Sequence, residues 1–130
     1  MFRLQVKTHI DAAHFIADYE GKCNRMHGHR WEVEVVLKGD TLDSRNMLVD
    51  FAEIKEILKD YLNKKYDHYV LNETLHEANV TAEWLARRIF EDMINHLPPS
   101  VTLARITVWE SPECCVKYYG GNDEDHRNLR

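Results

Sequence analysis

The chain has 130 residues, 44% of them hydrophobic and 30% charged, with a formal net charge of −5. That length and balance suit one globular, soluble domain, and the negative charge excludes a broad nucleic-acid footprint. No apolar run reaches the roughly 20 residues needed to span a bilayer, so no membrane partner is expected.

The first element is a half-buried strand. Phe2, Leu4, Val6 and Ile10 alternate with Arg3, Gln5, Lys7 and Asp11, the period of a strand with one face inside, and His14 ends it. A long polar loop, Phe15 to Met26, carries Cys23. The second strand alternates Trp31, Val33, Val35 and Leu37 with Arg30, Glu32, Glu34 and Lys38, and Gly39-Asp40 ends it.

Asp50 reads as a helix N-cap with Glu53 placed for a capping box. Phe51, Ile54, Ile57, Leu58, Tyr61 and Leu62 form an apolar stripe at helical spacing. Tyr66-Asp67-His68-Tyr69 reads as a loop. A second helix starts near Thr81, with Ala82, Leu85, Ala86, Ile89, Phe90, Met93 and Leu97 on one face, and Pro98-Pro99 stops it. Ala104, Ile106 and Val108 make a third strand, with Glu110 on the same parity. Val116 to Tyr119 make a fourth. The expected organisation is a domain over residues 1–119 and a polar tail over 120–130. The order strand, strand, helix, helix, strand, strand fits an α+β fold: a four-stranded antiparallel sheet with two helices on one face. Its two edge strands invite pairing between subunits.

The segment Cys23-Asn24-Arg25-Met26-His27-Gly28-His29 carries most of the chemistry. Side chains two apart on a strand share a face, so His27 and His29 converge. Imidazole suits zinc, and two aligned imidazoles are half of a tetrahedral site. His14 is the third candidate, and three histidines leave one position open, the mark of a catalytic zinc. A structural zinc knuckle, the main rival, needs a second Cys or His pair that the chain does not offer.

Cys23 lies in a segment too polar for a core, beside the expected metal. A nearby cation favours its thiolate, the reactive form. Asp67 and His68 read equally as a solvated loop or as members of a proton relay to Cys23. Glu110 ends an apolar strand on the buried parity, where a carboxylate needs a partner. The edge of a guanidine-like heterocycle, with two adjacent N–H groups, would satisfy it. Thr81 and Glu83 are most simply a cap and a first-turn acid. His9, His76, His96 and His126 lack convergent partners. Cys114 and Cys115 are adjacent and point to opposite faces, so no disulfide framework is expected. With no signal-peptide core near Met1, a cytoplasmic protein with reduced thiols is expected.

Ala13-His14, Cys23-x3-His27-Gly28-His29, Asp67-His68-Tyr69-x-Leu71-Asn72, Thr81-Ala82-Glu83-x-Leu85-Ala86 and Trp109-Glu110 together resemble the 6-pyruvoyltetrahydropterin synthase family, over about residues 2–119. The likeness is strongest to its queuosine-pathway branch, the 6-carboxy-5,6,7,8-tetrahydropterin synthases. That branch places three residues between the Cys and His-Gly-His, as here, where the tetrahydrobiopterin enzymes place five. Ser111 stands where many relatives have Thr.

The resemblance implies the tunnelling fold, or T-fold, in which trimers close a twelve-stranded β-barrel and commonly stack into a homohexamer with active sites between subunits. It implies Zn2+ on His14, His27 and His29, with Cys23 as the proton-abstracting base and Asp67 and His68 in its relay. Glu110 anchors the pterin and shares in the relay, with Thr81 as a further binding candidate. The implied substrate is 7,8-dihydroneopterin triphosphate, with Lys22 and Arg25 as candidates for its triphosphate. The implied products are 6-carboxy-5,6,7,8-tetrahydropterin, acetaldehyde and triphosphate. Two alternatives use the same fold: a 6-pyruvoyltetrahydropterin synthase, which retains the three-carbon side chain, and a non-catalytic pterin-binding protein, which has no need of an activated thiol.

Overall fold

The computed structural model describes residues 1–121, so the expected polar tail lies outside the described residues from position 122 on. The frame is an antiparallel sheet in the order β1-β2-β3-β4, with β1 Phe2–His14, β2 His27–Gly39, β3 Thr102–Ser111 and β4 Cys114–Tyr118. Strands that follow one another in sequence are neighbours in the sheet. The helices α1 Phe51–Lys65, α2 Leu71–Thr74 and α3 Ala82–Met93 are therefore one insertion between β2 and β3.

The ladder between β1 and β2 runs unbroken from Phe2 opposite Gly39 to His14 opposite His27. Residues directly opposite in an antiparallel pair share a face. Even positions of β1 and odd positions of β2 therefore line one side, and Val6, Ile10, Trp31, Val33, Val35 and Leu37 are buried there. Val108 and Ile106 of β3 stand opposite Val33 and Val35 and extend the same face. A slip of one residue would turn Lys7, Glu32 and Glu34 into the core, so burial fixes the register.

Two helices cover that face, α1 against β1 and α3 against β3 and β4. Ile54, Leu58 and Leu62 of α1 and Leu85, Ile89 and Met93 of α3 bury their stripes on the sheet. Truncating one such side chain to Ala typically costs about 2–5 kcal/mol. The caps act as the sequence predicts: Asp50 Oδ1 accepts from the Ala52 N–H at 2.8 Å, and Thr81 Oγ1 from the Trp84 N–H at 3.1 Å. The uncovered face of the sheet is charged, with Lys7 paired to Glu32 at 2.7 Å and Arg105 to Glu34 at 2.8 Å.

Three features depart from the expectation. The strands extend further than their apolar alternation, because the ladder continues through Ala12, Ala13 and Gly28 to the histidines. α3 ends at Met93, not at Leu97. Asn95 and His96 are poor helix formers, and Pro98 pushes Leu97 out of helical backbone. Leu97 still packs against the core. The segment after α1 holds the additional turn α2, too short for a periodic signal.

That segment also covers part of an edge. The His68 N–H donates to the Asp11 carbonyl at 2.7 Å and the Ala13 N–H to the Tyr69 carbonyl at 3.1 Å. The C-terminal end of β1 is thus paired within the chain.

Candidate metal centre

The end of the β1–β2 ladder brings three imidazoles together. His14 stands opposite His27, and His29 lies two residues further along the same face, opposite Ala12. Ring centroids are 4.5 Å apart for His14 and His27, 4.7 Å for His27 and His29, and 5.2 Å for His14 and His29. Trp31 is the next residue on this face. Its indole stands edge-on to His14 and His29, at 4.7 and 5.4 Å, and its Nε1–H donates to the Ala12 carbonyl at 3.2 Å.

Backbone carbonyls set two of the rings. His14 Nδ1–H donates to the Val80 carbonyl and His27 Nδ1–H to the Arg25 carbonyl, each at 2.7 Å. A carbonyl can only accept, so the proton sits on Nδ1 and the lone pair on Nε2. His14 Nε2 and His29 Nε2 are buried and make no hydrogen bond. Glu110 faces both, with Oε1 3.5 Å from His14 Nε2 and 3.3 Å from His29 Nε2.

Burial holds the His14 pKa below the ordinary imidazole value, and the neighbouring His27 adds to the effect against the opposing Val80 bond and Glu110. Burial likewise lowers His29, with Glu110 opposing. Neutral rings are the form that binds metal. The potential ligand atoms of His14, His27, His29 and Glu110 all lie within 4.8 Å of one another. Four ligands at zinc bond lengths would sit about 3.3 Å apart in a tetrahedron. Buried acceptors without donors, facing a carboxylate, fit a cation. The four residues form a group that could bind a metal.

The other sequence candidates are placed around this group. Cys23 lies in a 3-10 turn, Lys22–Asn24, as a half-buried free thiol. Its carbonyl accepts from the Ile16 N–H at 2.8 Å, tying the turn to the chain just past His14. Its sulfur is not among the grouped ligand atoms. Lys22 and Arg25 are exposed on the same loop. Thr81 is half-buried and its hydroxyl caps α3.

Asp67 and His68 contact each other, with His68 Nε2 3.5 Å from Asp67 Oδ2. Asp67 Oδ1 accepts from the Asp11 N–H at 2.9 Å. Asp11 in turn holds Arg30 in a two-point pair at 3.0 and 3.3 Å. Asp11 is on the opposite parity from His14, so these groups sit beside the metal group and not within it. A shallow groove of about 460 Å³ joins the two, lined by residues that include Gly28, His29, His68 and Tyr69.

Sequence reasoning assigned Glu110 to the substrate; the structure also sets its carboxylate among the ligand atoms. It missed Trp31 as the floor under two imidazoles and Val80 as the acceptor that orients His14. Only the odd placement of a Trp next to His-x-His could have signalled the first, and nothing in sequence signals a backbone carbonyl 66 residues away.

Comparison with known proteins gives the chain's relatives. A relative from Bacillus subtilis, named 6-carboxy-5,6,7,8-tetrahydropterin synthase, is 33% identical over 129 residues, covering 90% of this chain and 84% of its own. One of the same name from Haemophilus influenzae is 26% identical, covering 91% and 99%. The solved structure of Caenorhabditis elegans 6-pyruvoyl tetrahydropterin synthase superposes with a TM-score of 0.82 at 24% identity, covering 92% of this chain and 96% of that one. Its fold is this fold. The family model described as 6-pyruvoyl tetrahydropterin synthase matches residues 3–121, nearly everything the structure describes, and the chain belongs to that family.

Proposed function

We propose that the chain is a zinc-dependent 6-carboxy-5,6,7,8-tetrahydropterin synthase of queuosine biosynthesis. It converts 7,8-dihydroneopterin triphosphate and one water to 6-carboxy-5,6,7,8-tetrahydropterin, acetaldehyde and triphosphate. The observation that carries this reading is the group of three imidazoles, with buried, unpartnered Nε2 atoms on His14 and His29 facing Glu110. The names of the curated relatives and the three-residue spacing from Cys23 to His27 favour the carboxy product.

His14, His27 and His29 hold the zinc, which when bound acts as a Lewis acid on the substrate's side-chain hydroxyls and makes the adjacent C–H bonds more acidic. The Cys23 thiolate takes the proton, and Asp67 and His68 carry it onward. Glu110 binds the pterin edge by two N–H···O contacts. Lys22 and Arg25 receive the triphosphate from their exposed loop, and Thr81 lies near the ring. Cys23 is not among the grouped ligand atoms, and Asp67 and His68 form a second group with Asp11 beside them. We therefore take the working unit to be a cytoplasmic homo-oligomer, a trimer or hexamer, whose neighbouring subunits complete each site. Among the described residues no helix is long and apolar enough to cross a membrane.

Mass spectrometry of the product after incubation with 7,8-dihydroneopterin triphosphate tests the assignment. Acetaldehyde and a carboxylated pterin are expected. A product that keeps the three-carbon side chain would make the chain a 6-pyruvoyltetrahydropterin synthase instead.

A further inference from the structure

Asn72 belongs to a motif of the family resemblance but has no part in the chemistry above. It sits in the single turn α2, beside the fully buried Leu71, and is itself 7% exposed. Its carboxamide treats Phe15 as one strand treats another: Oδ1 accepts from the Phe15 N–H at 2.9 Å, and Nδ2 donates to the Phe15 carbonyl at 2.8 Å. The second Nδ2 proton goes to the Ala78 carbonyl at 2.9 Å. Both donors and the acceptor are used.

The two segments it joins are the two ends of one metal-site contact. Phe15 follows His14 directly. The segment that contains Ala78 runs antiparallel to the chain after His14, through the bridge between Ile16 and Asn79 and the bond from the Ala17 N–H to the Ala78 carbonyl at 3.1 Å. Two residues on, the carbonyl of Val80 receives His14 Nδ1–H at 2.7 Å. The His14 ring therefore hangs between two segments joined by backbone bonds, among them the Val80 N–H to the Phe15 carbonyl at 3.4 Å, and Asn72 adds a side-chain clamp across them. No other side chain of this length offers a coplanar acceptor and two donors: Asp lacks the donors, and Gln is one methylene too long.

We propose that Asn72 is a positioning residue of the metal centre. It holds His14 and Val80 at the separation that fixes the His14 tautomer and aims its Nε2. The inference rests on the reading of His14, His27 and His29 as metal ligands. Groups that orient a ligand histidine typically alter metal affinity by about 10–100-fold when removed.

The test compares the parent with Asn72→Ala, Asn72→Ser and a remote core variant, Ile89→Ala in α3. The readouts are Zn2+ and Co2+ affinity by competition with a chromophoric chelator, the visible bands of the Co2+ form, and thermal unfolding of the metal-stripped protein. Asn72→Ala should bind Zn2+ on the order of 10–100-fold more weakly and show weakened tetrahedral Co2+ bands. Ile89→Ala should lose thermal stability yet keep the parent affinity and spectrum, which separates positioning from general destabilisation. If Asn72→Ala does not fold, Asn72→Ser carries the measurement, since its hydroxyl and a bridging water can occupy the space left by the amide. Parent-like affinity and spectrum in the Asn72 variants would overturn the proposal. A parent protein that takes up neither metal would overturn the metal-centre reading itself, and the proposal with it.

Discussion

His14 Nε2 lies 3.5 Å from Glu110 Oε1, although the strands that carry them are separated by β2. Two strand spacings amount to about 10 Å, so the side chains reach toward each other across the face that His29 and Trp31 occupy. A carboxylate facing the Nε2 lone pair of His14, whose proton is on Nδ1, is unfavourable unless a positive charge lies nearby. A cation among His14, His27, His29 and Glu110 would supply that charge.

Purified protein should therefore carry about one zinc per chain, bound by three imidazoles with one position open. His27→Ala and His29→Ala should each lose most of it, as read by elemental analysis after dialysis. His29→Ala removes one of the two ring nitrogens that face Glu110, and His27→Ala removes the ring paired with His14 at the end of the ladder. Full occupancy in either variant would take that residue out of the ligand set.

The convergence of His14, His27, His29 and Glu110 was legible in the sequence because its parts obey local rules. Period-two alternation puts His27 and His29 on one face, and the same period carries Glu110 onto the face of Ile106 and Val108. His14 was legible as a strand end. The partner of Asp67 was not: the Asp11 N–H lies 56 residues away in sequence, on a strand edge that no pattern marks as covered. Nor was α2, a four-residue turn that offers too few positions for a helical period. What escaped the sequence is long-range backbone bonding, which leaves no trace in side-chain pattern.

A buried phenol pair outside the site should make stability sensitive to alkaline pH. Tyr66 donates to Tyr61 at 2.6 Å, and Tyr61 donates to Asp92 at 2.6 Å, with Arg88 Nε 3.1 Å from the same carboxylate oxygen. Burial pushes Tyr66 up to about 12, and burial with the neighbouring Tyr66 and Asp92 raises Tyr61 further. The folded state keeps these protons while the unfolded chain loses them near pH 10. Stability from this source is fully present below pH 10 and falls as pH rises toward 12. Urea unfolding across that range should show the decline, and it should be shallower in Tyr61→Phe/Tyr66→Phe. An identical decline in the double variant would locate the alkaline loss elsewhere.

The proposed assembly is tested at the sheet edges. Among the described residues β4 lies at one edge of the sheet, and β1 lies at the other, with its outer side bridged near Asp11 to Ala13. Open edges pair with other copies. Sedimentation at micromolar concentration should show a trimer or hexamer. A monomer that turns over at full rate would refute a site completed between subunits.

The assigned roles of Cys23 and Glu110 separate chemistry from binding. Cys23 lies outside the ligand group and is assigned to proton transfer. Cys23→Ala should keep its zinc and its substrate Kd but lose on the order of 10²–10⁴-fold in turnover, the usual effect of removing a general base. Glu110 holds a half-buried carboxylate beside His14 and His29 and is assigned to the pterin edge. Glu110→Ala should keep its zinc on the three imidazoles and weaken ground-state binding, because a charge-assisted two-point contact is lost; turnover falls as well to the extent that Glu110 shares in the relay. Zinc content, substrate Kd and single-turnover rate on both variants separate these outcomes. Parent-like turnover in Cys23→Ala would make the thiol structural. Loss of zinc in Glu110→Ala with pterin affinity retained would make Glu110 a fourth ligand and move the anchor elsewhere, with Thr81 the next residue to test.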